Sequence, residues 1–123
     1  MLKVHAKKSD TFTVLSLEGQ IVTGETEALR LAVESVTNTD ALKLDLARVK
    51  AIDAHGLGVL LQLRELTQTK GMRFELMNVS QPMRRIFEIT RLNTVFHITY
   101  SVQFFPSVVA ERRVSMTALK SCA

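Results

Sequence analysis

The sequence predicts an α/β fold, a single domain in which three or four helices pack on a mixed sheet of four or five strands. Two patterns predict this class. Short segments that alternate apolar with polar residues recur along the chain, and segments whose apolar residues repeat with helical spacing lie between them. Strands that alternate with helices pair in parallel through helical crossovers. A length of 123 residues suits one domain with its own hydrophobic core.

The chain begins with two strand-like segments. Residues 3–6 predict a short terminal strand and residues 11–17 predict a second one, with a Ser-Asp pair typical of a turn between them. A hairpin is therefore expected, and it adds an antiparallel strand to the sheet. The apolar alternation changes phase between Val14 and Leu15, which indicates either a β-bulge or burial of both faces.

Helices and strands alternate from that point. Residues 28–36 predict an amphipathic helix that is capped by Thr23 or Gly24. Residues 42–46 alternate as a third strand, and a loop is expected over residues 47–54.

The second half of the chain repeats the alternation. A helix is expected from about Gly56 to Gln68, with an apolar face wide enough to be covered by the sheet. Residues 72–76 predict a fourth strand. Pro82 then begins a third helix, and residues 95–98 predict a last short strand.

The predicted domain covers residues 1–105. Residues 106–123 are expected to form a C-terminal tail, in which residues 111–120 either form a weak helix or fray. The single cysteine, Cys122, cannot form an internal disulfide, and the start of the chain lacks the apolar core of a signal peptide. A cytoplasmic protein is therefore expected.

Composition and charge argue against several classes of function. The formal net charge is +4, but the basic residues occur as short doublets far apart, and one Tyr with no Trp leaves little to stack on bases. The three histidines lack the spacing of metal ligands, and no nucleophile is paired with a base. We therefore expect no enzyme, no cofactor, no metal, no nucleic acid partner and no direct insertion into a membrane.

The segment most informative about function joins the third strand to the second helix. It contains Asp53, His55 and two glycines, Gly56 and Gly58, within six residues. Glycines let the backbone approach a partner closely, and the free N–H groups of a helix start can hold an anion. The alternative is close packing of helix on strand, with Asp53 as the helix cap. Asp45 and Asp53 are expected near one strand end, where a turn and a cap are favoured over a catalytic pair.

The sequence around this segment resembles the signature of STAS domains, the anti-sigma factor antagonist modules. The central match is LDL at residues 44–46 followed by IDAHGLGVLL at residues 52–61. Further matches to the family's strands lie at residues 17–21, 73–79 and 95–96. The resemblance extends over residues 2–101 and implies a STAS-like (SpoIIAA-like) fold.

The resemblance also implies that the protein docks to a partner. A typical member binds an anti-sigma factor that is a serine kinase, and phosphorylation of a serine or threonine just before the helix glycine breaks the complex. That position maps onto His55, which has no hydroxyl, and the acidic residue that the family often carries after its second strand maps onto Val22. The resemblance therefore implies docking without the usual phosphorylation switch.

The expected docking surface combines the start of the second helix with the loop after the second strand. Its residues are Asp53, Ala54, His55, Gly56, Leu57 and Gly58, with Thr23, Gly24 and Glu25 beside them. Leu57 is expected either to anchor a partner or to belong to the core. Three readings of the missing hydroxyl stay open: a constitutive binder, a phosphate taken over by Thr23 or Ser80, or a proton-sensitive contact of His55.

Two other functions fit the same resemblance. STAS-like modules also serve as cytoplasmic subunits of membrane transport systems, including lipid-transport ABC complexes, where a transporter ATPase is the partner and no phosphorylation is needed. A ligand-binding sensor with Val22 and Leu57 lining an apolar site is the other alternative. The identity of the partner and the oligomeric state stay open.

Overall fold

The computed structural model describes residues 2–100. Its elements are β1 (Lys3–Lys8), β2 (Phe12–Ile21), α1 (Glu27–Glu34), β3 (Ala41–Ile52), α2 (Ala54–Thr69), β4 (Arg73–Val79), α3 (Gln81–Ile89), a 3-10 turn (Leu92–Thr94) and β5 (His97–Tyr100). The strands form one sheet in the order β1-β2-β3-β4-β5, antiparallel between β1 and β2 and parallel elsewhere. The predicted mixed α/β sheet is confirmed. The predicted tail at 106–123, with its helix alternative at 111–120, lies outside the described residues.

The three helices lie on one face of the sheet. Each parallel connection moves one strand further in the same direction, and because such crossovers are right-handed, consecutive helices fall on the same side. Burial agrees with this placement, since alternate strand residues are buried under the helices. The main buried residues are Leu15, Leu17, Leu42, Leu44, Leu46, Phe74 and Leu76 from the strands and Leu29, Val33, Leu60, Leu63, Met83 and Phe87 from the helices.

The opposite side of the sheet, here called the outer face, mixes polar and apolar residues. It carries the half-buried side chains of Phe12, Val14, Ser16, Lys43, Asp45 and Glu75. The ammonium of Lys43 lies 3.9 Å from the carboxylate of Glu75 and 4.6 Å from the ring centroid of Phe12. Charged groups on this face therefore pair across strands, whereas the inner face is almost entirely apolar.

The expected phase change in β2 is explained by partial burial on both faces. Thr13, Leu15 and Leu17 are buried on the inner face, while Phe12 and Val14 are half-buried on the outer face. The register with β1 and β3 is regular across these residues, so the alternative of a bulge at this point is wrong. Hydrophobicity changes phase here, but the direction of the side chains does not.

The predicted loop at residues 47–54 is wrong, because β3 continues to Ile52. Its buried residues are two apart up to Leu46, and then three apart at Val49 and Ile52. The register between β2 and β3 shifts twice in this stretch, and each time β3 gains one residue over β2. The two extra residues break the alternation on which sequence-based recognition of a strand depends.

Two helix starts also differ from the expectation. α2 begins at Ala54 and not near Gly56, and α1 is preceded by Thr26 in the capping position and not by Thr23 or Gly24. The side chain of Thr26 makes no capping hydrogen bond. A tight turn closed by the Glu25 N–H and the Val22 carbonyl at 3.0 Å precedes α1 and moves its start along the chain.

The last strand begins at His97, two residues later than predicted. The 3-10 turn before it directs Phe96 into the core, where its ring centroid lies 6.1 Å from that of Phe74 and 5.9 Å from that of Phe87. Val95 remains exposed. Val95 and Phe96, the first two residues of the predicted strand, therefore precede β5, and Phe96 fills the core between β4 and α3.

Candidate partner-docking site

The carboxyl ends of β2 and β3 lie side by side and position the start of α2. Ile21 and Ile52 are paired at the ends of these strands, and the N–H of Asp53 donates to the carbonyl of Ile21 at 3.3 Å. The chain then turns into α2 on one side and into the loop that contains Thr23 and Gly24 on the other. Both segments of the predicted docking surface are thus brought together at one edge of the sheet.

The carboxylate of Asp53 ties these two segments to each other. Its Oδ1 accepts a hydrogen bond from the N–H of Gly56 at 2.8 Å, and its Oδ2 accepts from the N–H and the hydroxyl of Thr23, both at 3.0 Å. The first bond is an N-cap, which confirms the capping alternative for Asp53. The others extend the same carboxylate to a loop 30 residues away.

These donors also set the charge state of the carboxylate. The backbone N–H groups of Thr23 and Gly56, then the Thr23 hydroxyl and the nearby His55, lower the pKa of Asp53 below its ordinary value, against a smaller opposing effect of desolvation. Asp53 is therefore ionised at neutral pH and occupies the positive end of α2 itself.

Gly56 is buried, and its role is close packing. A Cβ on this residue would lie 2.0 Å from the carbonyl oxygen of Ile21, a distance no side chain can adopt. At Gly58, by contrast, an added Cβ meets nothing within 4 Å. The expectation that Gly56 lets a partner approach is therefore corrected: the backbone that approaches it closely is the chain's own β2.

Of the two alternatives for Leu57, the structure supports the core residue and not the anchor. Leu57 is 9% exposed and belongs to the main hydrophobic cluster. It is therefore neither an exposed anchor for a partner nor the wall of an open apolar site with Val22. The first turn of α2 is thus divided between two environments: Gly56 and Leu57 are buried, and Ala54 and His55 are exposed.

Four exposed residues remain at this corner. Thr23, Gly24, Ala54 and His55 are all exposed, while Glu25 and Gly58 are half-buried beside them. Gly24 has a φ of 86°, a left-handed conformation that lets the loop turn tightly next to Thr23. We call these four exposed residues the corner surface.

Asp45 does not share a strand end with Asp53, as the sequence suggested. The two carboxylates are separated by much of the length of β3, roughly 20 Å, since β3 from Asp45 to Ile52 runs beside only the stretch from Ser16 to Ile21 of β2. Asp45 Oδ1 accepts from the N–H of Ala47 and from Nδ2 of Asn78, both at 3.0 Å. The partner Asn78 was not recognised from the sequence, because it lies 33 residues away and no local pattern marks it.

The remaining candidates are placed as follows. Ser80 is half-buried before α3, where its carbonyl accepts from the N–H of Arg84 at 2.8 Å. Within residues 2–100, no three His, Cys, Asp or Glu side chains lie close enough together to hold a metal ion. In the same range, none of the helices is long and apolar enough to cross a membrane.

The fold and this corner define a STAS domain. The STAS family model matches residues 3–108, and the chain belongs to that family.

Solved structures with the same fold include regulators and a transporter-family protein. An anti-sigma factor antagonist from Mycobacterium paratuberculosis is 24% identical, with a TM-score of 0.72 over 83% of this chain and 87% of that one. The unphosphorylated anti-sigma factor antagonist SpoIIAA is 16% identical, with a TM-score of 0.63 over 92% and 99% of the two chains. A sulfate transporter family protein from Wolinella succinogenes is 18% identical, with a TM-score of 0.66 over 74% and 78%.

Proposed function

We propose that this chain is a docking module of the anti-sigma factor antagonist kind, which binds an anti-sigma factor through the corner surface. The observation that carries the proposal is the divided first turn of α2. Gly56 and Leu57 are packed inward, so Ala54 and His55 are presented outward on a fixed backbone. Asp53 joins them to Thr23 and so holds the corner surface in one conformation.

The chemistry of the surface suits docking better than catalysis. The Asp53 carboxylate already accepts three hydrogen bonds from the chain, so little of it is left to activate a substrate. A rigid, preorganised patch loses little conformational entropy when a partner binds. The anti-sigma factor antagonists with the same fold support this kind of partner.

Because His55 lacks a hydroxyl, we propose that the complex is not released by phosphorylation at this position. The Thr23 hydroxyl donates to Asp53 at 3.0 Å, and a phosphate there would place two negative groups side by side. A constitutive interaction, regulated by the amount of partner, is the simplest consequence.

The test begins with affinity purification of the native protein, identification of the anti-sigma factor, and calorimetric titration of that partner. We expect A54E and H55E each to weaken binding by at least about tenfold, since each buries an uncompensated charge at the interface. The matched control is Q68E, an exposed position at the other end of α2, which should bind like the natural chain. Equal affinity of all four proteins would refute the corner surface.

A second variant tests the missing switch. H55S restores a hydroxyl at the exposed position before Gly56. If the partner is a kinase, ATP should add one phosphate to H55S and dissociate the complex, while the natural chain stays unmodified and bound by mass spectrometry. Phosphorylation of the natural chain by the same kinase would show that another hydroxyl has taken over.

A subunit of a membrane transport system is the second candidate. It is favoured by the fold shared with the sulfate transporter family protein and by the absence of a hydroxyl at His55. In this case the protein should co-purify with a transporter ATPase and permease, and phosphatase treatment should leave the assembly intact. Recovery of an anti-sigma factor instead rejects this candidate.

A further inference from the structure

The outer face of the sheet contains a depression where β3 gains its first extra residue. From the Ser16–Asp45 pair to the Glu18–Arg48 pair, β2 advances two residues and β3 advances three. A bulge of this kind bends the strand and changes the direction of nearby side chains. The result is a polar depression of about 240 Å³.

Two cross-strand rows supply the side chains of the depression. His5, Ser16 and Asp45 form one row across β1, β2 and β3, and Glu18 with Arg48 belongs to the next. All five line the depression together with Ala47 and Leu17. An imidazole, a hydroxyl, two carboxylates and a guanidinium therefore converge on one small space.

Most of this polar capacity is unused by the chain. Within residues 2–100, the side chains of His5, Glu18 and Arg48 make no hydrogen bond and no ion pair. Asp45 differs, because its Oδ1 holds the bulge through Ala47 and Asn78. Asp45 thus stabilises the bulge, while His5, Glu18 and Arg48 around it have no side-chain partner in the part of the chain that the structure describes.

We propose that this depression binds a small zwitterion, a free α-amino acid. A guanidinium binds a carboxylate in bidentate geometry, so Arg48 suits the carboxylate group. Glu18, the cross-strand neighbour of Arg48, and Asp45 in the adjacent row suit the ammonium group. A plain anion would meet two carboxylates, and a plain cation would meet Arg48, so a ligand with both charges fits this set of groups.

The size of the depression supports a ligand of this class. Pockets for drug-sized molecules hold roughly 300–1,000 Å³ and bury most of the ligand. A depression of about 240 Å³ is smaller, and it is open, so millimolar affinity is expected. A bound amino acid would connect β1, β2 and β3 on a face that is otherwise free of helices within residues 2–100.

Amide chemical-shift titration of the full chain tests the proposal. L-serine, L-threonine and L-glutamine are the probes, and acetate and methylammonium are single-charge controls. For at least one amino acid we expect saturable shifts at the amides of His5, Ala47 and Arg48, with a dissociation constant on the order of 1 mM. Neither single-charge control should saturate in that range.

Variants separate binding from general charge effects. R48Q and E18Q should each weaken the amino acid by about tenfold. K50Q, which changes an exposed residue on the same strand outside the depression, should bind normally. A dispersed amide spectrum confirms folding of each variant. Shifts that stay linear for all three amino acids, saturation by acetate alone, or unchanged affinity in both R48Q and E18Q would each overturn the proposal.

Discussion

Asp45 on β3 and Asp53 immediately after β3 accept similar sets of hydrogen bonds, but the surfaces around them differ. Asp53 accepts from a backbone N–H three residues ahead and from a threonine on a distant loop, and Asp45 accepts from an N–H two residues ahead and from a distant asparagine. At Asp53 the outcome is a closely packed corner, whose exposed residues form the corner surface. At Asp45 it is a bulge that leaves charged side chains around a depression. The neighbours, and not the aspartates, decide which surface results.

The difference follows from what stands opposite each carboxylate. Next to Asp53, glycine at position 56 lets α2 contact Ile21 directly, so there is no space left. Next to Asp45, the extra residue in β3 pushes the ladder apart, and the side chains around it are long and charged. We therefore expect the buried part of the corner, at Gly56, to tolerate substitution poorly, and the bulge to tolerate it well except at Asp45 and Asn78.

The largest effect should come from G56A. Its Cβ would lie 2.0 Å from the Ile21 carbonyl oxygen, so either α2 or β2 must shift, and a loss of at least about 3 kcal/mol in unfolding free energy is expected. G58A is the control, because it adds a methyl group in open space inside a helix and should stabilise by about 0.5–1 kcal/mol. Urea unfolding measures both. Similar midpoints for the two variants would show that the corner is not tightly packed.

A smaller effect is expected from removal of the hydrogen bond that Asn78 donates to Asp45 at the bulge. Asn78 and Asn38 both adopt left-handed backbone conformations, with φ of 59° and 57°. Only Asn78 donates to a carboxylate. N78A should therefore cost roughly 1.5–3 kcal/mol more than N38A in the same unfolding experiment, the range for a hydrogen bond to a charged group. Equal losses would mean that Asp45 does not depend on Asn78.

The smallest effect is a pH dependence of the corner. Since the donors from Thr23 and Gly56 lower the pKa of Asp53, the folded chain holds its proton less tightly than the unfolded chain. The stabilisation is present above the ordinary carboxyl value of about 4 and is lost as the pH falls through the lowered pKa. The difference in unfolding free energy between the natural chain and D53N should thus be constant near neutral pH and shrink in acid.

Two outcomes would contradict this view of Asp53. A difference that stays constant into strong acid, or one that grows there, would mean that the Thr23 and Gly56 donors do not favour the ionised carboxylate. T23V sharpens the measurement, because it removes the hydroxyl donor and keeps the backbone N–H. It should reproduce part of the D53N effect with the same pH dependence.

Much of the fold was predictable because it depends on local pattern. The leucines at 42, 44 and 46 identified a buried strand, and the glycine and proline signals near Gly71 and Pro82 bounded α2 and α3. The cap by Asp53 was predictable for the same reason, since an N-cap needs only the residues that follow it. Where β3 carries two extra residues, the local pattern is interrupted, and the sequence predicts a loop in place of the strand.

The candidate site shows the same difference between features set by local sequence and features set by packing. The sequence by itself determined that a helix begins at a glycine-containing turn after a buried strand, that position 55 carries no hydroxyl, and that Asp53 has backbone donors ahead of it. Only the tertiary structure decided that Gly56 and Leu57 are turned inward, that Thr23 and Asn78 reach the two aspartates, and that a polar depression forms at the bulge. The physical reason is that an N-cap depends only on residues adjacent in sequence, whereas register and cross-strand contacts arise only when separate segments pack together.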